Sequence, residues 1–361
     1  MKTLYKYMTL FLMVLPTLSM ASNKKMGGKH TKEKTIKKEY SVNSNALLKI
    51  NNTYGNLSIT SWNENRILIE VHIKTNSNNE EKAQDKLNEI RVAFEASRSL
   101  VSAKTIYSSS KGWGWNWGNS SKVNMQINYT IKVPVKNSLH LNNDYGNIYL
   151  DRIDGYAKIN CDYGRLEIGE LHGTNNELNF DYTPKSHIGY INSGTIKADY
   201  SGITIEKAGE LNINADYTNS NIVSIKNLKY SCNYGNLNVE HAKNITGNGD
   251  YVNINLGEIY GNIDLNSNYG SIKIKELAED AGNVILKTDY TSIKIGYNPL
   301  YNFDFEIKTE YANVSGKEDF EINISNIKPT SKYYKGYSGK QNSGKLISIS
   351  SDYGGVSFMK N

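Results

Sequence analysis

The sequence predicts an all-β chain: a parallel β-solenoid of about 17–21 residues per coil behind an N-terminal cap of strands and one short helix. Three observations predict it. A Tyr-centred marker recurs at near-constant spacing, apolar residues alternate on both sides of each marker, and one long stretch near the N-terminus lacks the marker.

The marker is an acidic or amide residue, then Tyr, then a small residue, as in Asp162-Tyr163-Gly164 and Asp216-Tyr217-Thr218. Its tyrosines are Tyr145, Tyr163, Tyr182, Tyr200, Tyr217, Tyr234, Tyr251, Tyr269, Tyr290, Tyr311 and Tyr353, with Tyr54 an early outlier. The spacings from Tyr145 onward are 18, 19, 18, 17, 17, 17, 18, 21, 21 and 42, the last read as two periods with one marker missing.

Leu211, Ile213, Ala215 and Tyr217 show the alternation before a marker, and Ile203 and Ile205 show it resuming afterwards out of phase. Period two means strands with one buried face, and the phase break means a corner. A unit this small cannot bury its own apolar face, so stacked copies share one core. The parity of Tyr with the inward residues places its ring inside the corner, stacked on the next coil's Tyr, with the Asp outside. Small residues two positions earlier (Ala198, Ala215, Cys232, Gly249, Ser267) then leave room for the ring. At about 4.8 Å per coil, eleven periods make a rod of roughly 50 Å.

Residues 1–21 read as a signal peptide: Lys2 and Lys6 precede an apolar run, and Ser19-Met20-Ala21 offers a cleavage site. Residues 22–39 hold seven Lys against two Glu and read as a basic disordered leader. With two further Lys in the signal, the net charge of +6 leaves the body at about −1, so nucleic acid is not an expected partner. No later apolar run has the length of a membrane span, so no transmembrane anchor is expected.

Residues 40–135 read as a first coil and N-terminal cap, with strands at 47–59 and 67–73. The stretch "NEEKAQDKLNEIR" (79–91) carries early acids and puts Ala83, Leu87 and Ile90 on one helical face. Strands follow at about 92–107 and 122–133, ending at Pro134. Residues 136–361 hold the repeats, with one unmarked coil and a polar loop within 313–345; an uncapped last coil, "SDYGGVSFMKN", would favour self-association through coil ends. Cys161 and Cys232 share one repeat position, about four coils apart and beyond disulfide reach.

The signal, the segment "LLKINNTYGNLSITSWNENRILIEVHIKT", the short helix and the run "VNMQINYTIKVPV" leading into Gly-marked strands together carry a resemblance. The chain resembles the bacterial putative-adhesin family of exported β-strand-repeat proteins, formerly a domain of unknown function and similar to the head GIN domain. The resemblance covers about residues 40–361. It implies an exported parallel β-solenoid and supplies no catalytic or ligand residues to carry over; the Asp-Tyr marking here exceeds the family's looser Gly pattern.

The expected function is that of a non-enzymatic adhesin or binding module in the bacterial cell envelope, in the periplasm or at the cell surface. A structural, self-associating envelope protein is the alternative. A carbohydrate-active β-helix enzyme would need converging carboxylates, and the six His are scattered without metal spacing. No cofactor is called for. The Asp row has two readings: each Asp bonds its own turn's backbone, or the row binds calcium between coils. The stretch "KGWGWNWGNSS" (111–121) puts Trp113, Trp115 and Trp117 on one side if extended. Those rings either contact a glycan or an envelope or matrix protein, or fold back to close the cap.

Overall fold

The structure, a computed structural model, describes residues 27–107 and 122–361. Strands β1 (His30–Ser41), β2 (Leu47–Thr53), β3 (Leu57–Trp62) and β4 (Arg66–Ser77) precede helix α1 (Glu80–Glu89). Strands β5 (Ile90–Ala96), β6 (Leu100–Tyr107) and β7 (Asn124–Pro134) follow. The marked region runs through β8 (Ser138–Asp144), β9 (Ile148–Ile153), β10 (Ala157–Asp162), β11 (Leu166–Leu171), β12 (Asn176–Asp181), β13 (Ser186–Asp199) and β14 (Gly202–Asn214). It continues through β15 (Asn219–Ile259), β16 (Ile263–Leu277), β17 (Val284–Tyr297) and β18 (Phe303–Glu310). Last come β19 (Val314–Ser315), β20 (Glu321–Ile327), β21 (Ser331–Ser338), β22 (Leu346–Asp352) and β23 (Val356–Lys360). All 23 join one sheet, mostly parallel in the marked region and antiparallel at both ends.

Each strand before a marker pairs in parallel with its equivalent one period on: Ile159 lies between Leu141 and Leu178. Strands after the marker do the same, Ile168 lying between Leu150 and Ile188. Equivalent residues therefore superpose, and the alternate apolar positions fuse into one core cluster containing Leu141, Ile159, Leu178, Ile196 and Ile213. Each such Ile or Leu contributes about 1.5–3 kcal/mol by leaving water. Cys161 and Cys232 are both free and buried in this core.

The N-terminal end departs from the expected layout. β2 pairs with β8 and β3 with β9, so residues 63–137 are an insertion between two neighbouring repeats. β6 and β7 then pair in parallel on the far sides of β2 and β3. Antiparallel β5 covers β6, and β4 covers β7. Helix α1 starts at the Asn79 cap, whose side chain accepts from the Lys82 N–H, and buries Ala83 and Leu87 as its spacing requires.

Three expectations are corrected here. Residues 30–39 are not a disordered leader: β1 pairs antiparallel with β4 from His30–Ser77 to Ser41–Arg66. Its lysines find partners, Lys37 with Glu70 at 3.0 Å and Lys34 Nζ with the Ile90 carbonyl at 2.7 Å. The final segment is also not an uncapped last coil. β22 lies between β17 and β18, parallel to both, and β23 lies between β17 and β19. The stretch 313–345 holds no unmarked coil; it supplies β20 and β21, which continue the sheet antiparallel beyond β18. At that end Phe320 packs against Phe303, Phe305 and Phe358, with ring centroids 4.9–5.6 Å away.

Candidate functional site: an outward tyrosine row

Every marker tyrosine has a left-handed backbone, with φ from 47° at Tyr290 to 65° at Tyr54. The Tyr N–H donates to the carbonyl before the neighbouring marker, as Tyr145 does to Asp162 and Tyr217 to Asn233, both at 2.9 Å. The ladder thus runs through the corner while the left-handed residue turns its side chain outward. This overturns the placement of the ring inside the corner: the marker tyrosines are 41–59% exposed. Counting parity assumes an extended backbone, and one left-handed residue reverses it. The small residues two positions earlier (Ala198, Ala215, Cys232) do lie in the core, but no ring shares that space.

The Gly after Tyr has a different task from the turn itself. A Cβ on Gly164 would stand 2.0 Å from the Gly146 carbonyl oxygen of the adjacent repeat. Where Ser or Thr replaces it, the hydroxyl is buried and bonded: Thr218 Oγ1 donates to the Ala198 carbonyl at 2.9 Å.

The twelve rings form one continuous row in the order Tyr54, Tyr145, Tyr163, Tyr182, Tyr200, Tyr217, Tyr234, Tyr251, Tyr269, Tyr290, Tyr353, Tyr311. Neighbouring centroids are 4.6–5.4 Å apart and the planes within 13° of parallel. Ring faces are consequently covered by ring faces, and solvent meets edges and hydroxyls. The phenols of Tyr163, Tyr217 and Tyr353 are pushed above the ordinary value, first by desolvation and then by the adjacent tyrosines, so they remain neutral donors at physiological pH. Tyr107 meets Tyr54 edge-on at 6.4 Å at the N-terminal end.

The Asp row beside the rings corrects the own-turn reading. Asp162, Asp181, Asp199 and Asp216 each accept, through Oδ1, the backbone N–H of the equivalent residue in the next repeat, at 2.8–3.2 Å. Asp144 lacks such a donor, and its carboxyl is held above the usual range, first by desolvation and then by Asp162. Outward Asn side chains beyond the rings bond likewise, Asn238 to Asn221 at 2.8 Å and Asn255 to Asn238 at 2.9 Å.

The Tyr182 corner has one residue more than its neighbours: Ser186, four after Tyr182, pairs with Ile203, three after Tyr200. Beside it lies a cleft of about 680 Å³ against Tyr200 and Tyr217, walled by Arg165, Lys185 and His187. His187 stands between Glu167 and Glu206, 3.3 Å from each.

Trp113, Trp115 and Trp117 lie outside the described residues. Sequence reasoning left Tyr54 aside, although Tyr54-Gly55-Asn56-Leu57 repeats Tyr145-Gly146-Asn147-Ile148 and could have located it. It also placed Tyr311 and Tyr353 in chain order, which the stacking reverses.

No family model and no curated protein matches the chain. Among solved structures, it is similar to a putative cell adhesion protein from Clostridium sporogenes (13% identity, 91% of this chain and 100% of that one, TM-score 0.18). It is also similar to a putative adhesin from Bacteroides fragilis (14%, 91% and 97%, TM-score 0.22). A third is a putative lipid binding protein from Parabacteroides distasonis (10%, 90% and 96%, TM-score 0.28). At such scores these likenesses carry no argument about function.

Proposed function

We propose that the chain is an exported, non-enzymatic β-solenoid of the bacterial cell envelope, a binding module whose tyrosine row contacts a linear glycan. The observation that supports this is the backbone of the row. A left-handed residue other than Gly costs about 1–2 kcal/mol, and an aromatic pair returns about 0.5–1.5 kcal/mol. The two nearly cancel, so folding stability alone gives little reason to keep Tyr at twelve such positions where Gly or Asn would be relaxed.

What the row presents is phenolic hydroxyls and ring edges at intervals of about 5 Å, flanked by Asn. A polymer of hydroxyl-bearing units meets the same donors, acceptors and apolar edges at each repeat, and weak contacts add by multivalency. Four of the row's carboxylates already hold backbone N–H groups, which favours recognition over acid–base chemistry. No helix among the described residues is long and apolar enough to cross a membrane. Export, to the periplasm or the cell surface, rests on residues 1–21. The Trp113, Trp115 and Trp117 segment, which follows Tyr107 at the row's N-terminal end, is proposed as a second contact.

The test is retention of the purified protein on a panel of insoluble polysaccharides, peptidoglycan, chitin and cellulose among them. Tyr200→Phe, Tyr217→Phe and Tyr234→Phe together keep the stack and remove three hydroxyls. Binding to at least one polymer, weakened several-fold in the triple variant at unchanged melting temperature, is expected. No retention anywhere, or equal retention by the variant, sinks the reading.

A further inference from the structure

Repeats that follow one another in the chain normally pair directly, as β16 does with β17 (Ile263–Val284 to Asp289–Asn268). Tyr290 and Tyr311 are 21 residues apart, the same period as Tyr269 and Tyr290, yet β17 and β18 each pair with β22, which lies between them. Residues 346–360 fill the space between them. Ile347 is aligned with Val284 on one side and Phe305 on the other, and Val356 with Ile293 and Val314. The filler adds Ile347, Ile349, Val356 and Phe358 to the core, and Thr288 Oγ1 donates to Ser351 Oγ at 3.0 Å.

The slot's requirements are register and inward apolar residues, not covalent connection.

The filler is held in the slot by pairing and packing on both sides. Its connection to β21, residues 339–345, turns through three left-handed residues, Gly339, Asn342 and Gly344. We infer that residues 346–360 are a donor segment exchangeable between copies: the slot between β17 and β18 accepts the same segment from a second copy, in the same register, and so links chains. Because both ladders must open first, the exchange takes place on folding or refolding. It is independent of the glycan reading and needs no part of the tyrosine row.

The Thr288–Ser351 pair provides the test, in a full-length background carrying Cys161→Ala and Cys232→Ala, since Ala already occupies that repeat position at 198 and 215. Thr288→Cys and Ser351→Cys variants are unfolded, mixed, refolded together and oxidised. A disulfide-linked heterodimer, absent when either variant is refolded alone and lost on reduction, is expected. The double variant in one chain should form the bond internally; if it does not, the slot geometry is wrong. An internal bond in the double variant with only monomers in the mixture overturns the exchange.

Discussion

Tyr54 and Tyr145 are 91 residues apart in the chain, yet their rings stack with centroids 5.4 Å apart and planes 13° from parallel. Tyr290 and Tyr353, 63 residues apart, stack at 4.6 Å. The row follows neighbours in space, and both ends of the repeat array are spliced by non-local pairing.

If the rings lie outside, the row is dispensable to the core. Tyr217→Asn forfeits two stacking partners, about 1–3 kcal/mol, but relaxes a left-handed backbone worth about 1–2 kcal/mol. Ile213→Ala, in the core two residues before Ala215, should cost about 2–5 kcal/mol. Denaturant titration should rank Ile213→Ala as clearly the more damaging; the reverse order would put Tyr217 inside.

Gly164 is needed for contact between repeats. Gly164→Ala drives a methyl against the Gly146 carbonyl and should cost about 1–3 kcal/mol as overpacking. Gly355→Ala, whose new Cβ would meet nothing beyond its chain neighbours closer than the Asn313 carbonyl oxygen at 3.9 Å, should change the melting temperature little. Equal effects would refute the close approach.

Asp144 gives a pH signature. A carboxyl whose pKa rises on folding favours the protonated form, so it adds stability at acid pH and withdraws it as the pH climbs past the ordinary carboxylate value of about 3.9. Asp144→Asn, the residue found at the equivalent positions 233 and 268, should raise the melting temperature slightly at pH 7 and not at pH 3. A gain that is largest at pH 3 would contradict the sign.

Deletion of residues 22–41 separates a spacer from a structural strand. Loss of β1 bares the β4 edge and removes the packing of Ile36 and Tyr40 against the core, so a lower melting temperature and aggregation are expected. An unchanged melting curve would restore the leader reading.

Replacing Trp113, Trp115 and Trp117 with Ser should abolish or weaken polysaccharide retention at constant melting temperature. A collapse in stability would mean that these rings close the cap.

The sequence by itself determined the strands flanking the markers, their inward aliphatic residues, the corner positions, the period and helix α1, because each follows from alternation, spacing or capping within a few residues. Tertiary structure decided the rest. The outward turn of Tyr217 depends on a single left-handed residue, which residue parity does not register. The strand at 30–41 is lysine-rich and only weakly apolar, and it is held by the free edge of β4 and by partners such as Glu70 that lie far away in the chain. The position of Tyr353 between Tyr290 and Tyr311 follows from the pairing of β22 with both β17 and β18; repeats so alike specify register strongly and order weakly, and only that three-dimensional pairing chooses among the orders.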